Sequence, residues 1–166
     1  EPGQGKGPVR KSHHSRTDLG IWGEHTLNQK RKHSAMNLGD SLPSVVKHIT
    51  QEEINLYAEA SGDFNPIHID ESFAAQTPLG GTIAHGMLIL AYVSEMMTKA
   101  FGESWLSGGK LSVRFKAPAR PKDTITTSGK IDSIEHKEGV PYVNCSLESC
   151  NQKGETVITG GAVVRL

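Results

Sequence analysis

The residues able to do chemistry are concentrated in Ser61-Gly62-Asp63-Phe64-Asn65-Pro66-Ile67-His68 and, seventeen residues after that histidine, in His85-Gly86. A carboxylate, a carboxamide and an imidazole (Asp63, Asn65 and His68) stand within six residues. Adding water beside a thioester carbonyl requires a base for the water and an acid for the α-carbon. A neutral imidazole and a carboxylate over one water can share both tasks. Asn65 can hold that water or orient the pair, because its amide both donates and accepts. Gly86 opens a long apolar run. The first amides of a helix are unpaired and carry partial positive charge, and a glycine lets a ligand approach them. That arrangement suits the oxygen of an enolate-like transition state. His85, beside it, is expected to be a structural hydrogen-bonder rather than a base.

Asp63 and His68 are five residues apart, so one helical face does not bring them together. The glycine and proline between Ser61 and His68 argue against ordinary helix, and Pro66 disfavours helix at Asn65. Convergence of the pair is then a matter of loop shape. Taken by itself, the segment also fits an Asx-turn followed by a surface histidine. Asp63, His68, Asp70 and His85 are metal-ligand types as well. No His-x-x-x-His or Cys-x-x-Cys spacing accompanies them, and no metal is expected. Glycine-rich nucleotide loops are absent, and neither Ser61 nor Ser94 has a Gly-x-Ser-x-Gly context.

The elements that must position these residues can be read from the pattern. Leu42 to Ile49 reads as a strand. Thr50-Gln51-Glu52-Glu53 is a capping box, and the helix after it, with Ile54, Tyr57, Ala58 and Ala60 along one stripe, must stop by Gly62. Asp70 caps a short helix through Gln76, with Glu71 in its first turn. Gly86 to Phe101 is the strongest helix; its apolar residues lie on nearly all sides, which predicts burial all round. Lys110 to Phe115, Thr124 to Ile134, Tyr142 to Cys150 and Thr156 to Leu166 are β-rich and separated by turn signals. One long buried helix followed by an antiparallel meander predicts an α+β fold in which the sheet wraps the helix.

The bulk properties agree with one globular domain. The chain has 166 residues, with 18 Lys and Arg against 18 Asp and Glu. Residues 1–36 carry seven Lys and Arg against three Asp and Glu, so the remainder is acidic, which argues against nucleic acid as the main partner. Residues 1–36 are turn-rich and basic and read as a flexible extension or linker, with a short strand possible at Gly20-Ile21-Trp22. The globular domain is expected over residues 37–166. Cys145 and Cys150 sit at odd spacing in one strand and face opposite ways, so no bridge between them is expected, and unpaired thiols point to a reducing compartment. No apolar run of about eighteen residues and no secretory core are found, so neither a membrane span nor secretion is expected. A cytoplasmic location follows, or a mitochondrial one if residues 1–36 derive from a transit peptide.

Tyr57-Ala58-Glu59-Ala60-Ser61-Gly62-Asp63-Phe64-Asn65-Pro66-Ile67-His68-Ile69-Asp70, with Gly80-Gly81-Thr82-Ile83-Ala84-His85-Gly86-Met87-Leu88, resembles the MaoC-like (R)-specific enoyl-CoA hydratases. The resemblance covers roughly residues 38–166. It implies the hot-dog fold, a long helix wrapped by an antiparallel sheet, in accord with the pattern above. It implies catalytic roles for Asp63 and His68, an oxyanion role for Gly86, and supporting or substrate-binding roles for Asn65, His85 and Ser94. The implied reaction is reversible syn hydration of a trans-2-enoyl thioester to the (3R)-hydroxyacyl thioester. No cofactor is implied beyond the coenzyme A or acyl carrier protein that carries the substrate. Homodimers or dimers of dimers, with acyl tunnels at the interface, are implied as the assembly. A (3R)-hydroxyacyl-carrier-protein dehydratase, a non-catalytic acyl-binding subunit and a thioesterase are the rivals on this fold. A complete Asp/His pair stands against the second, and the Asp-x-Asn-Pro-x-His spacing against the third.

Overall fold

The computed structural model describes residues 36–166. The basic extension and the short strand at 20–22 lie outside the described residues. Met36 packs against the core, so the globular part takes in this residue too.

The first strand, β1 (Val45–His48), is shorter than the run Leu42–Ile49 that suggested it. The capping box forms as read: the Thr50 side chain accepts from the Glu53 amide, and Glu53 accepts from the Thr50 amide. It starts α1 (Gln51–Ser61), which ends at Gly62 with φ 75°, a left-handed conformation that glycine adopts without a Cβ penalty. The segment after it departs from expectation. It carries one helical turn, α2 (Pro66–Ile69), and not a plain loop. Pro66 sits at the first helical position, where a missing N–H costs nothing, and Asn65 is the N-cap whose side chain accepts from the Ile67 amide. Asp70 then caps α3 (Glu71–Ala74), which stops short of Gln76.

Helix α4 (Gly86–Phe101) has the expected limits. Ile89, Tyr92, Val93, Met96, Met97, Ala100 and Phe101 are buried, but Met87 and Ala91 on the other side are exposed. The expectation of burial all round is therefore corrected for the single chain: one sheet can cover only one face of a helix. A short helix not foreseen in the sequence, α5 (Glu103–Gly108), follows and is anchored by buried Trp105.

Four strands complete the sheet: β2 (Lys110–Phe115), β3 (Thr124–Lys137), β4 (Val140–Cys150) and β5 (Thr156–Arg165). All pairings are antiparallel, in the order β1-β3-β4-β5-β2. The meander holds for β3, β4 and β5 only. Strand β2 pairs with β5 and forms the far edge. The core lies between this sheet and α4, where Val45, Ile125, Ile131, Val143 and Ile158 meet the helix's buried face. The fold is α+β, a sheet wrapped on a long helix. Both cysteines are free; burial raises the Cys145 thiol to about 11. No helix among the described residues is long and apolar enough to cross a membrane.

Candidate active site

The site is built where the α2 turn meets the start of α4. His68 is buried, although Ile69 beside it is exposed and Ile67 is only half-buried. Its Nδ1 lies 2.8 Å from the Ile83 carbonyl oxygen. A carbonyl only accepts, so Nδ1 carries a hydrogen, and in the neutral ring the lone pair is on Nε2. The Ile83 amide in turn donates to the Ile67 carbonyl at 3.1 Å, which ties the two segments together. Asp63 is exposed, and its Oδ1 accepts from the Asn65 amide at 3.2 Å, so the carboxylate is held by an Asx-turn. Asn65 Oδ1 is spent on the α2 cap, 3.2 Å from the Ile67 amide, which leaves its NH2 as the free-facing group.

His85 Nε2 lies 2.9 Å from the Asp63 carbonyl oxygen and therefore carries its own hydrogen there. The His68 and His85 rings stack with centroids 3.8 Å apart and planes 30° apart. Ligating atoms of Asp63, His68 and His85 all fall within 4.8 Å of one another. The structure thus joins the three residues that the sequence left apart.

Gly86 is the first residue of α4, with its amide at the positive end of that helix. It faces a cavity of about 290 Å³ whose walls include His68, Ile89, Phe115, Pro118 and Val157. A Cβ placed on Gly86 would stand 3.0 Å from the Phe115 ring, so a side chain there would crowd the cavity. A larger open groove of about 570 Å³, which includes Ser128, Lys130 and Glu148, contains none of the candidate residues. Ser94 is not brought to the cavity walls. Its Oγ accepts from the Trp105 indole N–H at 3.1 Å and so anchors α5 to α4.

A profile of the MaoC like domain matches residues 35–151, most of the chain. The chain belongs to the MaoC-like family. An (R)-specific enoyl-CoA hydratase of Rhodospirillum rubrum is 33% identical over 123 residues, covering 73% of this chain and 82% of the relative. A hydratase of the same description from Aeromonas caviae is 31% identical over 121 residues, 72% of this chain and 88% of its own. The solved (R)-hydratase of A. caviae superposes with a TM-score of 0.67 at 28% identity, covering 80% of this chain and 98% of that one. These likenesses bear out the hot-dog fold expected from the resemblance.

Within this MaoC-like site, the Asp63, His68 and His85 group has the composition of a metal centre. The geometry fits poorly. The two rings lie nearly face to face, so their in-plane lone pairs do not converge on a point about 2 Å from each, as a metal–imidazole bond requires. Asp70, the fourth candidate in the sequence, caps α3 instead.

Sequence reasoning missed the groups that hold the pair in place. Ile83 contributes through its backbone, which no side-chain pattern reveals. Phe115 was visible only as the last apolar residue of a strand. A relay also runs behind the pair: Glu71 accepts from the Thr82 amide, Thr82 Oγ1 donates to Gln51 Oε1, and Gln51 Nε2 donates to the His68 carbonyl, each at 2.8 Å. The bonds from Thr82 hold the Glu71 carboxyl below its usual 4.5. A lowered folded-state value means that the carboxylate's contribution is complete above about pH 4.5 and is lost as pH falls through the lowered value. Melting curves recorded from neutral pH down to about pH 3 should therefore show a steeper acid decline for the wild type than for Glu71→Gln. Parallel declines would remove Glu71 from the relay.

Proposed function

We propose that the chain catalyses reversible syn hydration of trans-2-enoyl thioesters to (3R)-hydroxyacyl thioesters. It is a hydro-lyase, as the names of its relatives indicate. The observation that carries the reading is the His68 tautomer, a free Nε2 lone pair on a cavity wall shared with Gly86 and beside the Asp63 carboxylate.

In this reading His68 Nε2 takes a proton from the water and Asp63 holds the water's second O–H. The water oxygen bonds to C3, and the C2–C3 π pair moves through C1 to the thioester oxygen. The Gly86 amide receives the developing negative charge, a donor already aimed by the helix start. The proton then passes to C2 on the same face and the carbonyl reforms, so one water has been added and nothing else is consumed. The same groups run dehydration in reverse, and relatives named 3-hydroxyacyl-thioester dehydratase Z from Mycobacterium tuberculosis fit that direction at 37% identity over 91 residues. Asn65 contributes its NH2 to the water, and Ser94 has a supporting role through its bond to Trp105.

The working form in this proposal is a homodimer or dimer of dimers. Phe64, Met87 and Phe115 are each more than half exposed beside the site, and β2 is an edge strand of the sheet among the described residues. Exposed apolar side chains near a site favour cover by a second protomer. The acyl carrier and chain length are tested by following loss of the enoyl-thioester absorbance with crotonyl to dodecenoyl substrates on coenzyme A and on carrier protein. No loss with any substrate would overturn the reading. Deleting residues 1–35 should leave hydration and oligomer size largely intact, as measured by the same assay and by light scattering; loss of either would make the extension part of the working fold.

A further inference from the structure

His85 has no task in the reaction above, yet it is among the most enclosed polar side chains of the site at 2% exposure. Its ring packs on His68 at 3.8 Å on one contact and on Tyr57 at 4.8 Å on another. Nε2–H donates to the Asp63 carbonyl at 2.9 Å. Its own carbonyl accepts from the Leu88 and Ile89 amides, so the same residue begins the helix that presents Gly86. One residue therefore touches all three parts of the proposed machinery.

Two features of His85 work against stability. It occupies an N-cap position and makes no side-chain cap bond, where Ser, Thr, Asp or Asn would. Its Nδ1 is buried with no hydrogen-bond partner among the described residues. Buried polar atoms are rarely left this way, and local rules broken together mark functional positions.

We propose that His85 is a positioning residue that sets the distance between the Asp63/His68 pair and the Gly86 amide. Its N–H fixes the Asp63 backbone, its ring backs the His68 ring, and its main chain joins both to the start of α4. This rests on the hydratase reading. His85 is not on the cavity wall, so its loss disturbs the alignment of reacting groups and not the grip on the acyl chain.

The test uses the full chain and crotonyl-CoA. His85→Phe keeps a ring and removes the donor; His85→Gln keeps a donor and removes the ring. Small misplacements of reacting groups cost large factors in rate. The expected result is a kcat lowered at least about tenfold in His85→Phe with KM nearly unchanged, and partial recovery of kcat in His85→Gln. Nitrogen-detected NMR of the wild type should show His85 protonated on Nε2 and His68 on Nδ1. This second readout decides the matter if a variant does not fold. Wild-type kcat in both variants, a rise in KM alone, or the opposite tautomer at His85 would each overturn the positioning role. A wild type that hydrates no enoyl thioester would instead overturn the reaction on which it rests.

Discussion

Asp63→Asn and His68→Ala should each lower hydration of crotonyl-CoA at least about a hundredfold, the usual scale for losing a positioned acid or base. Asp63→Asn is the cleaner change. The new amide oxygen still accepts from the Asn65 amide, so the Asx-turn survives while the negative charge beside the water disappears. His68→Ala also removes the bond to the Ile83 carbonyl and a buried ring, so some stability is lost with it. Steady-state rates on material shown to be folded by circular dichroism separate the two effects. In the proposed mechanism the pair acts on one water, so the double variant should be scarcely slower than the worse single one. Near-normal turnover in either folded variant would refute the assignment.

Phe101→Ala should have the largest effect on stability and little effect on chemistry. Phe101 is fully buried at the last position of α4, among the side chains that the sheet closes on. Removing a buried phenyl ring costs about 3–5 kcal/mol, a large part of the roughly 5–15 kcal/mol that holds a domain together. For a domain of this size the melting midpoint should fall by roughly 10–20 °C. The helix is sixteen residues long, so Phe101 stands about 22 Å from Gly86 along its axis. The kcat per folded molecule should therefore stay close to that of the wild type at low temperature. Calorimetry and rate measurement on one preparation check both halves. A loss of kcat matching that of the Asp63 and His68 variants would mean that the site depends on the whole helix and not on its start.

Much of the framework is legible in the sequence because its signals are local. Thr50 and Glu53 mark the start of α1 through reciprocal bonds only three residues apart. Gly62 ends that helix by its positive φ. Gly86 and Gly102 bracket α4, and alternation marks the strands. Exposure of one side of α4 was not legible. Apolar spacing shows which side chains avoid water and does not show whether the chain's own sheet covers them. Strand β2 reads like its neighbours, yet it crosses to the edge beside β5, a choice that only long-range pairing decides.

The site was half legible for the same reason. Residue types and the motif pair single out Asp63, His68 and Gly86. Their convergence depends on the Ile83 and Asp63 carbonyls, which fix the histidine tautomers and leave no trace in side-chain identity. The single turn at Pro66–Ile69 brings His68 inward by a proline that would have argued against helix anywhere but its first position. Ser94 is singled out only by the family resemblance, and its hydroxyl accepts from the Trp105 indole N–H.

The central claim is that Asp63, His68 and the Gly86 amide add water to an enoyl thioester from one face. Chiral analysis of the product formed from crotonyl-CoA by the full chain tests it most directly. The account predicts the (3R)-hydroxybutyryl thioester as essentially the sole product, formed by the wild type and nearly absent with Asp63→Asn. A (3S) or racemic product, or free acid and thiol in place of the hydroxyacyl thioester, would contradict it.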